Sequence, residues 1–426
     1  MVSYLSSSEI WPSSTVGSLF LGELVGSCFF GPYADICGRR KSFLLSCTLI
    51  AGCSLMSGLS SLEYIHVVEF MVGVGVGGFT IPFDILSECH SASRRRASLV
   101  VKINYFWALG AILVPLIEWF NFVYLGSTWR TFVLICSLPS LVALIMGYFT
   151  VQESQIWLKS QMVPMKLADS NESVNTTISS LTNSSHSDQT VSSVVSAKAT
   201  EIIRSLGIVE TLSLWLIWFG KSFSYYGMVI VTSRIFYENE GGWDYRRSTM
   251  SCFSEVAGTW LTGVLADRMG RIQTMMGGYF VAGIFLMSFT MYDYIILCVI
   301  GRVALVLAVN TTWIATPEMY ETKIRATGHG IANFFSRGGA LIASVYLVRK
   351  DVSTEMCGLL LCIFCMISSM ASYMLPETKD VDLEGGELEM KLIQISSIRD
   401  DFSPERRQNP SRAKALVERE RGVVLL

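Results

Sequence analysis

Six ionisable side chains stand inside long apolar runs of this sequence: Glu23, Asp84, Lys221, Glu255, Arg302 and Arg337. A charge at the centre of a bilayer costs roughly 3 kcal/mol or more, so each of them needs a partner, a cavity or a solute. Lys221 has Tyr225 one helical turn further on and Tyr226 beside it. A cation flanked by aromatic rings suits a flat anion such as an aromatic carboxylate. Arg337 adds a guanidinium, which grips a carboxylate through two parallel hydrogen bonds. Glu23, Asp84 and Glu255 pull the other way: they favour a cation, or carry a proton. The candidate solute-binding residues are therefore Lys221, Tyr225, Tyr226, Arg337, Asp84 and Trp107, with Asp84 and Glu255 as proton carriers. Two arrangements need no solute: Lys221 paired with Glu255 across the helices, and Arg302 packed near the end of its span. Glu23 has the weakest claim of the six. Trp107, Trp215, Trp218 and Trp313 either line a cavity or face lipid.

The elements that must position these residues are membrane spans. Of the 426 residues 51% are hydrophobic and 16% charged, against about 25% charged in a soluble domain. The apolar residues fall into eleven blocks of roughly 20, the length that crosses a bilayer as helix. The class is an all-α polytopic membrane protein. The net charge of −2 gives no reason to expect nucleic acid as a partner. The opening residues lack the basic start and short apolar core of a signal peptide. The 11 cysteines sit mostly inside apolar runs and read as small buried hydrophobes. Cys362 and Cys365 have no His or second pair nearby, so no metal or cofactor is expected. The glycines at 73, 75, 77 and 78 lack the Lys-Ser/Thr of a phosphate loop and read as a close-packing helix face or a hinge.

The sequence repeats itself. Gly31-Pro-Tyr-Ala-Asp35-Ile-Cys-Gly38-Arg39-Arg40 returns as Gly263-Val-Leu-Ala-Asp267-Arg-Met-Gly270-Arg271-Ile272. Glu88 is followed by Arg95 at the same spacing that separates Glu318 from Arg325. Two halves of one design are expected, as in transporters built from parallel repeats. The second-half loop follows two spans and the first-half loop only one, which predicts one span fewer at the amino end. The boundaries are residues 1–151 for a five-span bundle, 152–206 for a Ser/Thr/Asn-rich linker, 207–379 for a six-span bundle and 380–426 for a charged, disordered tail. Positive charge places the two repeated loops, the linker and the tail in the cytoplasm. The sequons at Asn171, Asn175 and Asn183 then lie on the wrong side for glycosylation. At the cytoplasmic rim, Asp35 can cap a helix amino terminus or pair with Arg39, holding one conformation shut. The expected gating set is Asp35, Gly38, Arg39, Glu88, Arg95, Asp267, Gly270, Arg271, Glu318 and Arg325, with Glu153 and Glu377 as further partners.

The Gly-x-x-x-Asp-x-x-Gly-Arg-Arg loop resembles the signature of the major facilitator superfamily. Pro376-Glu377-Thr378-Lys379 resembles the sugar-porter branch. The stretches 218–227 and 316–328 look most like the synaptic-vesicle-two-related transporters and their bacterial aromatic-acid relatives. The resemblance covers about residues 14–379 and implies the major facilitator fold of two helical bundles, with alternating access at a midplane site. Gln152 and Asp380 depart from the family's usual proline and glycine, and the first span of the second half carries no Gln-Leu-Ser run of the sugar-binding kind. Glu69 stands where arginine is common. The expected function is secondary transport of a small organic solute, an organic anion ahead of a sugar, as a proton symporter, in a plasma or vesicle membrane. The rival is a vesicle or receptor component that keeps the fold without transporting.

Overall fold

The structure is a computed structural model that describes residues 11–61, 63–83, 85, 93–154, 157–158, 202–240, 244–320, 324–349 and 351–379, with the backbone alone at 11–14, 93–97 and 238–240. Asp84, Glu88, the Arg95 side chain, the three sequons, most of the linker and the tail lie outside the described residues. Residues 1–380 form one compact unit, and residues 381–426 group separately.

No strand occurs among the described residues. Five long helices precede the linker: α1 (Trp11–Cys37), α2 (Arg39–Leu59), α3 (Ile65–Val76, continued by a tighter turn over Gly77–Thr80), α4 (Ser93–Trp119) and α5 (Trp129–Thr150). Six follow it: α6 (Ile208–Glu240), α7 (Tyr245–Met269), α8 (Arg271–Tyr292), α9 (Ile295–Glu318), α10 (Arg325–Tyr346) and α11 (Thr354–Ser372). Among the described residues, nine helices are long and apolar enough to cross a membrane. The two below that mark, α7 and α10, are of similar length but give up apolarity for buried polar residues, among them Glu255 and Arg337. An apolar exterior is what lipid requires: Phe106, Phe149, Trp260 and Met370 are all more than 60% exposed.

The helix ends follow from sequence. Asp244 caps α7 by accepting from the backbone N of Arg246 and Arg247, and Ser353 caps α11 by accepting from that of Met356. Small residues set the helix spacing. A Cβ on Gly22 would lie 2.0 Å from the Phe70 carbonyl oxygen, and one on Gly73 2.1 Å from that of Leu19. Gly73 thus packs α3 closely against α1, while a Cβ on Gly75 would lie 2.8 Å from Ile50 on α2, so the glycine run serves two helix contacts. The first five helices meet the last six along two seams, α1 on α10 and α4 on α7.

Candidate functional site

Helices from both sets surround a central cavity of about 60 Å³. Phe79 and Phe83 from the end of α3, and Asn104 and Trp107 from α4, close one side. Lys221 and Tyr226 on α6, Glu255 on α7, Trp313 on α9 and Ser336 and Arg337 on α10 close the other. The structure therefore brings Lys221, Tyr225, Tyr226, Arg337, Trp107 and Glu255 to one place, from four helices.

Lys221 is 2% exposed, yet its Nζ has no hydrogen-bond partner among the described residues. It lies 3.3 Å from the ring centre of Trp218 and 4.2 Å from that of Trp313. Ring faces carry negative potential, so this is the favoured environment for a desolvated cation. The alternative pairing of Lys221 with Glu255 does not occur. Glu255 Oε1 already accepts from Arg302 Nε (3.1 Å), Arg302 Nη2 (2.9 Å) and the Tyr225 hydroxyl (2.9 Å). Arg302 is thus the buried counterion of Glu255, not a packing residue near a span end. A guanidinium outcompetes an ammonium there because several of its donors can reach one carboxylate at once.

A second triad mirrors the first. Arg337 Nη1 lies 2.7 Å from Glu23 Oε2 and donates to the Tyr226 hydroxyl at 3.0 Å. Each of the two neighbouring tyrosines thus belongs to its own Arg–Glu pair. The first triad lies within the last six helices; the second joins α10 to α1, across the seam. Glu23 had the weakest claim on sequence, but it is 4% exposed and holds the arginine. Among the described charges, the two arginines are balanced by the two glutamates and Lys221 is left over. Trp107 donates from Nε1 to the Tyr225 hydroxyl at 3.0 Å and is 44% exposed, so it lies at the cavity's edge.

Sequence reasoning passed over His329 and Asn333. Arg325, His329, Asn333 and Arg337 recur every four residues, which puts them on one stripe of α10, and all four are buried. His329 lies edge-on to both Trp218 and Trp313, with ring centres 5.2 Å away in each case. Asn333 Nδ2 donates to the Gly77 carbonyl at 3.4 Å. That four-residue period was the available signal.

The two repeated loops have one architecture. Gly38 (φ 104°) and Gly270 (φ 99°) stand in backbone conformations that other residues rarely adopt, and each opens the next helix. Glu153 accepts from the backbone N of Arg39 (2.8 Å) and Arg40 (3.2 Å); Glu377 accepts from that of Arg271 (2.8 Å) and Ile272 (3.1 Å). A carboxylate at a helix amino terminus satisfies the unpaired N–H groups and the helix dipole. Arg39 Nη1 donates to Asp35 (2.7 Å) and the Ala34 carbonyl (2.7 Å), and Arg271 Nη1 to Asp267 (3.3 Å) and the Ala266 carbonyl (2.9 Å). Arg271 Nε also lies 3.4 Å from Glu318, which accepts from the Thr378 hydroxyl at 2.7 Å. Arg325 donates to the carbonyls of Pro317 (3.0 Å) and Tyr320 (3.1 Å). Asp35 reaches further: its Oδ2 accepts from both the backbone N and the hydroxyl of Thr327, at the start of α10.

Comparison with known proteins agrees with this architecture. The family model "Major Facilitator Superfamily" matches residues 5–344. The chain is 24% identical over 382 residues to organic cation/carnitine transporter 7 of Arabidopsis thaliana, covering 78% of this chain and 76% of that one. It is 25% identical over 408 residues to the synaptic vesicle 2-related protein of Xenopus laevis, covering 86% and 71%. Among solved structures it is similar to the proton:xylose symporter XylE bound to 6-bromo-6-deoxy-D-glucose, with a TM-score of 0.68, 18% identity and coverage of 89% and 88%. It is also similar in fold to the human organic anion transporter MFSD10, with a TM-score of 0.60, 13% identity and coverage of 84% and 83%. A repeated glycine-capped loop, a cavity between two helix sets lined by aromatic and charged side chains and a family match over most of the chain lead to one assignment: this multi-pass membrane protein belongs to the Major Facilitator Superfamily, a family of transporters.

Proposed function

We propose that the protein moves a small organic anion, a carboxylate on an aromatic or apolar body, across its membrane by alternating access. The observation that carries this is the charge balance of the cavity among the described residues: two arginines are neutralised by two glutamates, while Lys221 Nζ lies against two tryptophan rings with no carboxylate partner. A carboxylate entering from the cavity supplies the missing counterion. Phe79, Trp107 and Trp313 offer flat surfaces to its apolar body. Similar proteins carry names of both charge classes, an organic cation/carnitine transporter and an organic anion transporter. The unmatched Lys221 favours the anion.

In this reading Lys221, Tyr225, Tyr226, Arg337 and Trp107 surround the solute, in two bundles of residues 1–151 and 207–379. α7 and α10 complete eleven spans. The Asp35 and Asp267 loops face the cytoplasm and latch the bundles shut on that side, in a plasma or vesicle membrane. Of the two glutamates paired with arginine at the cavity, Glu255 is the one whose protonation would release a tyrosine directly as well, because Arg302 and Tyr225 both rely on its Oε1.

Thermal unfolding of the purified protein with benzoate tests the reading. Bound ligand at about 100 times its Kd adds about 2.7 kcal/mol to stability, a readily measured rise in midpoint. The wild-type chain is expected to gain this and Lys221→Met to lose it. A Lys221→Met chain that benzoate still stabilises fully would sink the assignment. Protection by a range of sugars and by no carboxylate would put a sugar ahead of the anion, and protection by no solute at all would favour the non-transporting rival.

A further inference from the structure

We propose that the Lys221 ammonium is the lock of an aromatic gate beneath the cavity, and that an anionic solute opens the gate by drawing Lys221 out of its tryptophan cage. The inference rests on the anion reading of the site and adds to it the means by which binding is felt at the gate.

The gate is built around Trp313. Its ring stacks on Phe83 of the first helix set, with centres 4.6 Å apart and planes at 25°, and meets Phe79 edge-on at 5.9 Å. On the other side it touches Trp218 at 4.7 Å and His329 at 5.2 Å. Trp313 is thus the ring through which the two helix sets touch below the cavity. Its level follows from chain position: it stands five residues before Glu318, about 7 Å along α9 from the Arg271 network of the second loop. His329 is two residues past Thr327, which is bonded to Asp35. The stack therefore lies between the cavity and the face that carries the repeated loops.

Lys221 sits on top of this stack, and its Nζ touches both tryptophans at once. Trp218 is fixed from below, because its Nε1 donates to the Thr316 hydroxyl at 2.9 Å. The ammonium thus joins a fixed ring to the ring that crosses the seam. A carboxylate in the cavity competes for the same ammonium and offers full charge where the rings offer only their quadrupoles. Once Lys221 turns up toward the solute, Trp313 keeps the contact with Phe83 but loses the charge that binds it to Trp218. Trp218 and Trp313 both belong to the last six helices, so what loosens is the anchor of the bridging ring in its own set, and in the loaded state only. A neutral solute makes no such exchange and leaves the gate locked.

The test reads access to a residue under the gate. Ile314 packs with Phe83, Val100 and Val101 across the seam. The Ile314→Cys chain, purified in detergent, is treated with a charged maleimide, and modification at residue 314 is followed by peptide mass spectrometry so that the native cysteines stay in place. Ala326→Cys, in the cluster with Phe30, Ala34 and Ile81, serves as a second reporter should the first fail to fold. Saturating benzoate is expected to speed modification about tenfold, the size of a modest shift in the open population. In the Lys221→Met background benzoate is expected to change nothing. In the Trp313→Leu background modification is expected to be fast with and without benzoate. The lock is overturned, and the anion reading left standing, if benzoate raises the thermal midpoint while modification stays at its unliganded rate. If benzoate leaves the midpoint unmoved, the anion reading and the lock fail together.

Discussion

Asp35 and Thr327 are 292 positions apart in sequence and share two hydrogen bonds, from the backbone N at 2.9 Å and from the hydroxyl. The same carboxylate holds Arg39, through its other oxygen, at 2.7 Å. One side chain therefore serves both its own loop and the start of α10. The two roles are separable. Asp35→Ala leaves a buried guanidinium without its carboxylate and is expected to cost about 3–5 kcal/mol. Thr327→Ala removes a single hydrogen bond and is expected to cost about 1 kcal/mol. Denaturant unfolding in mixed micelles measures both; equal losses would show that the cross-seam bond, rather than the ion pair, carries the stability.

The carboxylates that cap α2 and α8 are expected to act independently. Glu153→Ala and Glu377→Ala each strip two backbone N–H groups, at the start of a helix, of their acceptor, at about 1–2 kcal/mol apiece. They share no partner, so the double variant is expected to lose the sum to within about 0.5 kcal/mol. A double variant no worse than the worse single would show that the two loops unfold as one.

Gly38 and Gly126 provide a matched pair for backbone strain. Both have positive φ, 104° and 57°. A Cβ at Gly126 meets nothing within 4 Å, whereas one at Gly38 would lie 2.4 Å from Glu153 Oε2. Gly126→Ala is expected to cost about 1–2 kcal/mol, the left-handed penalty alone. Gly38→Ala is expected to cost more, by displacing the cap as well. The ranking is read from their unfolding midpoints, and the reverse order would mean that Glu153 shifts aside without loss.

Glu255 and Arg302 are expected to be strongly coupled. Glu255→Gln leaves Arg302 buried with its charge unmatched, and Arg302→Met does the same to Glu255; either is expected to cost about 3–5 kcal/mol. Together they remove both charges, so the double variant is expected to be more stable than the sum of the single losses implies, by at least about 2 kcal/mol. Simple additivity in a thermal double-mutant cycle would contradict the pairing.

Much of this architecture was legible because it follows local rules. Apolar length marked the helices, and the Gly-Asp-Gly-Arg repeat marked the loops, because a φ near 100° excludes other residues whatever surrounds it. The glycines of α3 were readable for a different local reason, since residues without a side chain let helix backbones approach closely. Pairing was harder to read, since partner choice depends on three-dimensional reach. Lys221 and Arg302 are both cations with access to Glu255 on sequence grounds, and only the crossing of α7 and α9 decides between them. Glu23 lies in α1, far from Arg337 in the chain, and the seam alone brings them together. The α10 stripe was visible as a four-residue period but was read only at its ends, Arg325 and Arg337, since His329 and Asn333 carry no fixed charge to draw notice.

The capping carboxylates also bear on how the chain is made. Glu153 follows the fifth helix and docks on the loop between the first two, so the first five helices receive their closing contact from the second residue of the linker. α6 begins 55 residues later, at Ile208. At synthesis rates of about 5–20 residues per second, the ribosome needs several seconds to reach it. The described polar contacts of the first loop to Arg39, Arg40 and Glu153 thus form before its partner set exists, and those of Asp35 to Thr327 do not. The two Asp35–Thr327 hydrogen bonds wait until α10 has emerged, which makes them the signal that both sets are assembled: on ribosome-arrested chains, protection of the first loop from protease is expected once Glu153 has cleared the ribosome, and a cross-link between positions 35 and 327 only after α10 has followed.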